Sequence, residues 1–290
     1  MNISDVRARL LALIALVTTA ALVALPGAPA AQGASRWALA DSATITPGVQ
    51  MMTKGAQCTA NFVYTDGFGH TYVGYAAHCA GKGEATDTDG CSTASYPLGT
   101  RVTFVAGENL ATAGETLGHG TLVYSSWLAM HKAGTKNANA CAYNDLALVR
   151  VAAADVKKVN PSVPFWGGPT GLRTQGLSPG DQVYSYGNSA VRAGVTALSP
   201  KTGVSTGDAG AGWSHNVYTV TPGIPGDSGS GFLDADGKAF GVVSTIALAP
   251  VPGENGIGDL AKELAFAQKH SGIGGLRLVK GTEPFSGLGG

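Results

Sequence analysis

Charged and aromatic side chains are scarce in this chain. Of its 290 residues, 13% are charged and 7% are aromatic, whereas 44% are hydrophobic. Lys and Arg together number 19, as do Asp and Glu, so the chain lacks the basic excess that nucleic-acid-binding surfaces need. A charge density this low also excludes a highly charged disordered chain. We therefore expect a folded protein with a sizeable core and no nucleic acid among its partners.

Cysteine is also rare, with four residues in the whole chain. None of them forms a Cys-x-x-Cys pair and the histidines lack the spacing of zinc ligands, so we expect no metal and no other cofactor. An even number of cysteines in an exported protein predicts two disulfides instead. Four cysteines allow three pairings, and spacing alone does not choose among them.

The N-terminus has the pattern of an export signal. Arg7 and Arg9 precede an apolar run from Leu10 to Leu25, and Ala28-Pro29-Ala30 supplies small residues for cleavage. An uncleaved membrane anchor is the alternative, but the run is short for a bilayer span of roughly 20 residues. We predict a signal peptide over 1–30, with a second candidate cut after Ala34, and a secreted protein without stable membrane association.

The rest of the chain favours β-structure. Its 43 glycines and 14 prolines indicate many turns, and from Thr46 onward short apolar runs alternate with Gly, Asn, Asp and Thr. One helix is predicted from Leu260 to Lys269, with Asp259 as its N-cap and Gly272 as its stop. The predicted strands are 61–64, 71–75, 101–105, 120–124, 146–151, 182–186, 194–198, 215–221, 231–233 and 240–245.

Three short motifs combine residue types that carry chemistry. Pro225-Gly226-Asp227-Ser228-Gly229 places a serine between glycines, which permit a tight turn and a close approach of the substrate. Tyr75-Ala76-Ala77-His78-Cys79 sets a histidine among small residues, and Asn144-Asp145-Leu146 sets an acid at the mouth of a strand. Taken singly, these motifs are typical of a polar turn, a buried histidine and a strand cap. Together they supply a nucleophile, a base and a residue that orients the base.

The order of the motifs resembles that in the trypsin-like serine endopeptidases of the chymotrypsin fold, in particular those secreted by bacteria. The resemblance spans roughly residues 50 to 270. It implies an all-β fold of two six-stranded antiparallel β-barrels packed together, with a C-terminal helix. After a short leader over 31–44, the N-terminal barrel would span 45–165 and carry the histidine and aspartate. The C-terminal barrel, over 166–290, would carry the serine, the helix and the tail.

The same resemblance implies a role for each site residue. Ser228 would be the nucleophile, His78 the general base and then acid, and Asp145 the residue that orients His78. The backbone N–H groups of Gly226 and Ser228 would form the oxyanion hole. Cys58 would pair with Cys79, as in the disulfide that clamps the histidine loop of this family, which leaves Cys91 to pair with Cys141.

The resemblance also implies that substrate binds near Pro222, Ser244 and Thr245. Pro222 stands where trypsin-like enzymes that cleave after Arg or Lys have a carboxylate, and residues 219–225 include no acid. We therefore expect a small or medium apolar P1 residue, provided that Glu254 and Asp259 do not reach into the pocket.

The chain departs from the family pattern in two ways. Ser230-Gly231 follow the serine motif where Gly-Pro is usual, and no Arg/Lys-Ile-Val-Gly-Gly activation sequence is present. In family zymogens a freed N-terminus pairs with the acid before the nucleophile, here Asp227, so the sequence leaves the partner of Asp227 open.

The function predicted from the sequence is that of a secreted serine endopeptidase, acting as a monomer on peptide or protein substrates. A catalytically silent relative that serves as a binding module is the main alternative, although silent relatives usually lack a triad residue. An esterase of another fold is disfavoured because the Gly-x-Ser-x-Gly elbow is absent.

Overall fold

The computed structural model describes residues 36–83, 87, 89–246 and 254–289, with the side chain of Ile246 excluded. The predicted signal peptide and the first residues of the leader, 31–35, lie outside the described residues. Within these ranges, no helix is long and apolar enough to cross a membrane.

The described chain consists mainly of β-strands, which form two sheets, and it contains three α-helices. The strands are β1 Gln50–Thr53, β2 Ala56–Thr59, β3 Val63–Thr65, β4 Thr71–Ala76, β5 Arg101–Ala106, β6 Glu115–Ser125, β7 Leu146–Val151, β8 Gly171–Leu172, β9 Gln182–Tyr186, β10 Pro200–Ala209, β11 Ser214–Thr219, β12 Gly231–Asp234, β13 Lys238–Ile246, β14 Glu254–Asp259 and β15 Arg277–Leu278. The helices are α1 Ser126–Ala133, α2 Ala138–Tyr143 and α3 Leu260–His270.

The first sheet has eight strands in the order β15-β3-β4-β7-β6-β5-β1-β2. β2 and β3 belong to one extended segment of the chain, and the residues between them also bond to β4. Asn61 N–H donates to Gly74 O, and Gly74 N–H donates to Phe62 O. This segment therefore pairs with β1 at its start and with β4 at its end. β15, from the C-terminal tail, pairs with β3.

The second sheet contains a closed barrel. Its order is β12-β9-β10-β11-β14-β13-β8, and an additional pairing between β12 and β13 closes six of the strands into a ring. β8 joins the outside of β13 in parallel. The predicted fold class, all-β with a C-terminal helix, is confirmed, and the first sheet has more strand segments than the predicted six.

Strand β7 explains why the segment after Asp145 is apolar without alternation. Leu146 and Leu148 belong to a core shared with α3 and with β12 and β13, whereas Ala147 and Val149 belong to the core of the first sheet. Both faces of the strand are therefore buried. Asp145, which directly precedes the strand, therefore lies where the two halves of the molecule meet.

The helix α3 begins at its predicted cap, because the Asp259 side chain accepts a hydrogen bond from Lys262 N–H. Two further short helices were not predicted. α2 has an N-cap in Asn137, and α1 ends at Gly134 with φ of 60°, so each carried a terminal signal in the sequence.

The prediction of a strand over 194–198 is wrong. Ala193 and Gly194 have φ of 52° and 83°, and Thr196–Leu198 form a 3-10 turn, which an extended strand excludes. The strand of this region is β10, which the sequence analysis missed because its polar residues and glycines give no alternating pattern. Its stability comes from pairing with β9 and β11 on both sides.

Candidate active site

His78 and Asp145 face each other across the ends of two paired strands. His78 lies on a 3-10 turn, Ala77–Ala80, that directly follows β4, and Asp145 directly precedes β7. The His78 Nδ1 lies 2.6 Å from Asp145 Oδ2, and the His78 backbone N–H donates to Asp145 Oδ1 at 2.8 Å. The Asp145 side chain is 4% exposed and that of His78 is 21% exposed. One ring edge is thus fixed by a buried acid while solvent still reaches the imidazole.

Ser244, on β13 in the second sheet, contacts the same carboxylate. Its hydroxyl donates to Asp145 Oδ2 at 2.6 Å. With this bond, Asp145 Oδ2 has two partners and Oδ1 has one. A carboxylate only accepts, so the hydrogen of the His78 imidazole lies on Nδ1 and the lone pair on Nε2.

The pKa of His78 is raised above its usual value of 6.5. Burial of the ring lowers this pKa, but the negative charge of Asp145 and the hydrogen bond to it raise it by more. The arrangement therefore stabilises the imidazolium, which is the state that a general base reaches when it accepts a proton.

A second acid lies behind Asp145, which the sequence analysis did not identify. Glu263 on α3 is fully buried, and its Oε1 accepts the Asp145 N–H at 2.8 Å. Burial raises the pKa of Glu263 well above its usual range, and the charges of Asp145 and Asp259 add to this, although the bond from Asp145 N–H opposes it. The protonated, neutral form is therefore favoured. A position on the apolar face of α3 was the only sequence signal.

The loop that carries Ser228 packs against the end of β4. Ser228 O accepts the Thr59 N–H at 2.8 Å, and Gly229 N–H donates to Val243 O at 2.8 Å. Gly229 has φ of +88°, and a Cβ there would lie 2.6 Å from Thr59 O and 2.7 Å from Ala76 N. Only glycine fits this approach. The loop thereby lies against Ala76, two residues before His78.

Two backbone N–H groups of this loop are unengaged. Within the part of the chain that the structure describes, the N–H groups of Gly226 and Ser228 have no hydrogen-bond acceptor, whereas those of Asp227 and Gly229 have one each. Gly226 has φ of +95°. Two backbone N–H groups without an acceptor can bind a negatively charged oxygen.

Asp227 is paired with two basic side chains that the sequence did not reveal. Arg192 contacts both carboxylate oxygens, at 2.5 and 2.7 Å, and Lys201 Nζ lies 3.1 Å from Oδ2. All three side chains are at most 4% exposed. Asp227 Oδ2 also accepts the Ile224 N–H. The partners of Asp227 therefore come from the loop before β10 and from β10 itself.

Both disulfides join the cysteines that the resemblance implied. Cys58 is bonded to Cys79 beside His78, and Cys91 is bonded to Cys141 in α2, just before Asp145. Cysteine sulfurs cluster with His78 and with Asp89 in these regions, but in both clusters the sulfurs belong to disulfides and offer no thiolate to a metal.

The buried Lys201 side chain contacts the predicted substrate-binding segment around Pro222. The Lys201 ammonium donates to Thr221 O and Pro222 O, and Pro222 itself is exposed. Glu254 accepts a hydrogen bond from Thr206, and Asp259 is engaged with His215 and the α3 cap, so neither acid is directed to Pro222. Thr245 lies beside Gly256 in the ladder between β13 and β14, and the residues that follow Ile246 lie outside the described residues.

Comparisons with known proteins found similar solved structures only. No protein-family model and no curated protein matches the chain. Thermobifida fusca protease A is 19% identical with a TM-score of 0.47, covering 82% of this chain and 99% of its own. A Nocardiopsis protease is 17% identical with a TM-score of 0.47, covering 81% and 98%, and a Cellulomonas bogoriensis chymotrypsin is 18% identical with a TM-score of 0.45, covering 81% and 98%. These three solved structures are of bacterial proteases, and their identity to this chain is low.

Proposed function

We propose that this chain is a secreted serine endopeptidase that hydrolyses peptide bonds through an acyl-enzyme intermediate. His78, Asp145 and Ser228 form its catalytic triad. The observation that carries the proposal is the arrangement of Asp145, whose carboxylate accepts His78 N–H, His78 Nδ1–H and the Ser244 hydroxyl. This set of bonds fixes both the orientation and the tautomer of His78, which a general base for serine requires.

The reaction follows from the chemistry of these groups. His78 Nε2 takes the Ser228 proton while Ser228 Oγ bonds to the substrate carbonyl carbon, and the resulting oxyanion accepts the N–H groups of Gly226 and Ser228. The intermediate collapses, the C–N bond breaks, and the leaving amine takes the proton from His78. Water then attacks the acyl-enzyme in the same way, with His78 taking its proton. The second intermediate releases the acid product, and His78 returns the proton to Ser228.

In this proposal, the order of the Ser228 loop does not depend on a freed N-terminal amino group. Arg192 and Lys201 already supply the positive charge that Asp227 requires as a buried acid. Their contacts support an active arrangement in the chain as described, without an activation sequence of the Ile-Val-Gly-Gly type.

The proposed P1 residue is small or medium-sized and apolar. The Lys201 ammonium donates to Pro222 O, and Lys201 and Arg192 share the single carboxylate of Asp227. Among the residues that the structure describes, no further acid is therefore engaged at this point. A basic P1 side chain beside Pro222 would therefore lose its hydration without gaining a carboxylate partner. Profiling with a peptide library varied at P1 tests the proposal, and cleavage mainly after Arg or Lys would refute it.

The wider setting of the proposal is an extracellular monomer that acts on peptides or proteins without a cofactor. Its export is supported by the N-terminal pattern of charged and apolar residues and by the two disulfides. A catalytically silent binding module of the same fold remains the alternative function.

Digestion of casein by the purified secreted protein separates the enzyme from the binding module. We expect new peptide N-termini with the wild type and none with Ser228→Ala, while both proteins keep the same melting temperature. Equal digestion by both proteins would exclude Ser228 as the nucleophile. If neither protein digests casein or the P1-varied library, the binding module becomes the better account.

A further inference from the structure

The peptide bond between Pro225 and Gly226 carries the N–H group that the proposed oxyanion hole needs. In a trans peptide the C=O and the N–H point in opposite directions, so fixing the carbonyl also fixes the N–H. A rotation of this one peptide plane would turn the Gly226 N–H away from the substrate. Gly226 has no Cβ and φ of +95°, so its backbone gives little resistance to such a rotation.

The Pro225 carbonyl is bound by Ser189. The Ser189 hydroxyl donates a short hydrogen bond to Pro225 O, and it accepts the Val191 N–H at 3.0 Å. A serine hydroxyl has one hydrogen to donate, so the bond from Val191 leaves that hydrogen for Pro225. Ser189 is 3% exposed, so water has little access to replace the bond.

The loop that carries Ser189 is itself held in place by contacts with β2 and with the Ser228 loop. Gln57 Oε1 accepts the Ala190 N–H at 2.9 Å, and Asn188 N–H donates to Thr59 Oγ1 at 3.1 Å. Arg192, three residues after Ser189, binds Asp227. Ser189 therefore sits in a segment whose position is fixed relative to the Ser228 loop.

The next peptide of the Ser228 loop is held by other groups. Gly226 O accepts Thr59 Oγ1 at 2.7 Å and Gln57 Nε2 at 3.2 Å. The two carbonyls that flank Gly226 thus have separate donors, and Ser189 is the donor for the one whose peptide contains the Gly226 N–H.

We propose that Ser189 is a positioning residue for the oxyanion hole, in that its hydroxyl holds the Pro225–Gly226 peptide with the Gly226 N–H directed at the substrate. The inference rests on the proposed function, because an oxyanion hole has a role only if Ser228 is acylated. The two hydrogen bonds of the Ser189 hydroxyl go to Pro225 O and Val191 N–H, and neither goes to Ser228. Ser189 acts through one carbonyl.

The test compares Ser189→Ala with the wild type in acylation by p-nitrophenyl acetate, an ester whose reaction does not depend on the P1 pocket. Ser189→Ala should lower the acylation rate constant about tenfold, since partial loss of one oxyanion donor costs less than the roughly 100- to 1000-fold loss on removing it. The pH midpoint of acylation should not move, because His78 and Asp145 are unchanged. A general disturbance of the active site would shift that midpoint as well.

A second pair of variants isolates the hydroxyl. Ser189→Thr and Ser189→Val have nearly the same shape, and only the threonine can donate to Pro225 O. We expect Thr to acylate several-fold faster than Val, a comparison that also decides the matter if Ser189→Ala does not fold. Thr100→Ala, which removes a hydroxyl bond to the carbonyl of Pro97 in a remote turn, is the matched control and should acylate like the wild type.

The outcomes separate the two proposals. A wild type that is not acylated at all would refute the proposed function. A wild type that is acylated, with Ser189→Ala or Ser189→Val reacting equally fast, would refute the role of Ser189 and leave the proposed function intact.

Discussion

The buried charges around Asp227 offer a demanding test of how the Ser228 loop is held. We consider Arg192→Met, which keeps an unbranched, flexible stem and removes the charged guanidinium. The Asp227 side chain is fully buried and that of Arg192 is 4% exposed, and their two contacts are 2.5 and 2.7 Å. Breaking such a buried pair from one side typically costs about 3–5 kcal/mol.

Lys201 places the expected cost at the lower end of that range. Its ammonium still lies 3.1 Å from Asp227 in the variant, so the carboxylate retains one cation. We expect a loss of about 3 kcal/mol in the free energy of unfolding. In a domain of this size, that corresponds to a fall in melting temperature of about 6–12 °C.

The same variant should slow the reaction. Asp227 precedes Ser228 and accepts the Ile224 N–H, so a carboxylate that shifts toward Lys201 displaces the loop. If about half of the roughly 3 kcal/mol is needed to return the loop to its active position in the transition state, the activation free energy rises by about 1.5 kcal/mol. kcat/KM then falls about tenfold.

Urea unfolding together with kcat/KM on a peptide substrate checks both effects. Arg150→Met, at an exposed arginine on β7, is the matched control and should change stability by less than about 0.5 kcal/mol. If Arg192→Met matched this control in stability and in activity, the reasoning about the Asp227 pair would be refuted.

Three further predictions concern His78, Glu263 and the second disulfide. Because the pKa of His78 is raised, kcat/KM should fall as the pH drops through a midpoint above 6.5, and a flat profile from pH 5 to 9 would remove His78 from the role of base. Glu263→Gln keeps the acceptor for Asp145 N–H but never ionises. Since the folded-state pKa of Glu263 is raised above 4.5, its contribution to stability is present below that pH and is lost as the pH rises. The variant should therefore exceed the wild type in urea stability at pH 8, where each kcal/mol gained raises the melting temperature by about 2–4 °C, and match it near pH 4. Equal stability at both pH values would show that Glu263 is not held neutral, and exposed Glu115→Gln is the control. Replacing Cys91 and Cys141 by serine, which opens a loop of 50 residues, should cost about 4 kcal/mol in urea unfolding, and an unchanged midpoint would contradict the pairing.

The parts of the candidate site that can be predicted from the sequence lie in local motifs. The turn that carries His78, the start of β7 and the glycines around Ser228 are short-range features, and each motif constrains its own backbone. The apolar run after Asp145 likewise predicted a strand, because a strand buried on both faces has no polar residues to interrupt it.

The residues that support the motifs could not be predicted in the same way. Arg192 and Lys201 are separated from Asp227 by 35 and 26 positions, and nothing local distinguishes a buried lysine in a polar strand such as β10 from an exposed one. Glu263 lies on the apolar face of α3, but the sequence does not show that this face packs against Asp145. Ser189 is a turn serine until the fold brings Pro225 against it. Their roles arise from tertiary contacts.

The central claim is that Ser228 is a nucleophile activated by His78. It is tested most directly by treating the purified protein with a biotinylated fluorophosphonate and mapping the modified residue by peptide mass spectrometry. We predict a single phosphonylated residue, Ser228, with labelling abolished in Ser228→Ala and slowed by at least about three orders of magnitude in His78→Ala. Labelling of a different serine, or labelling of Ser228 at the same rate in His78→Ala, would contradict the account.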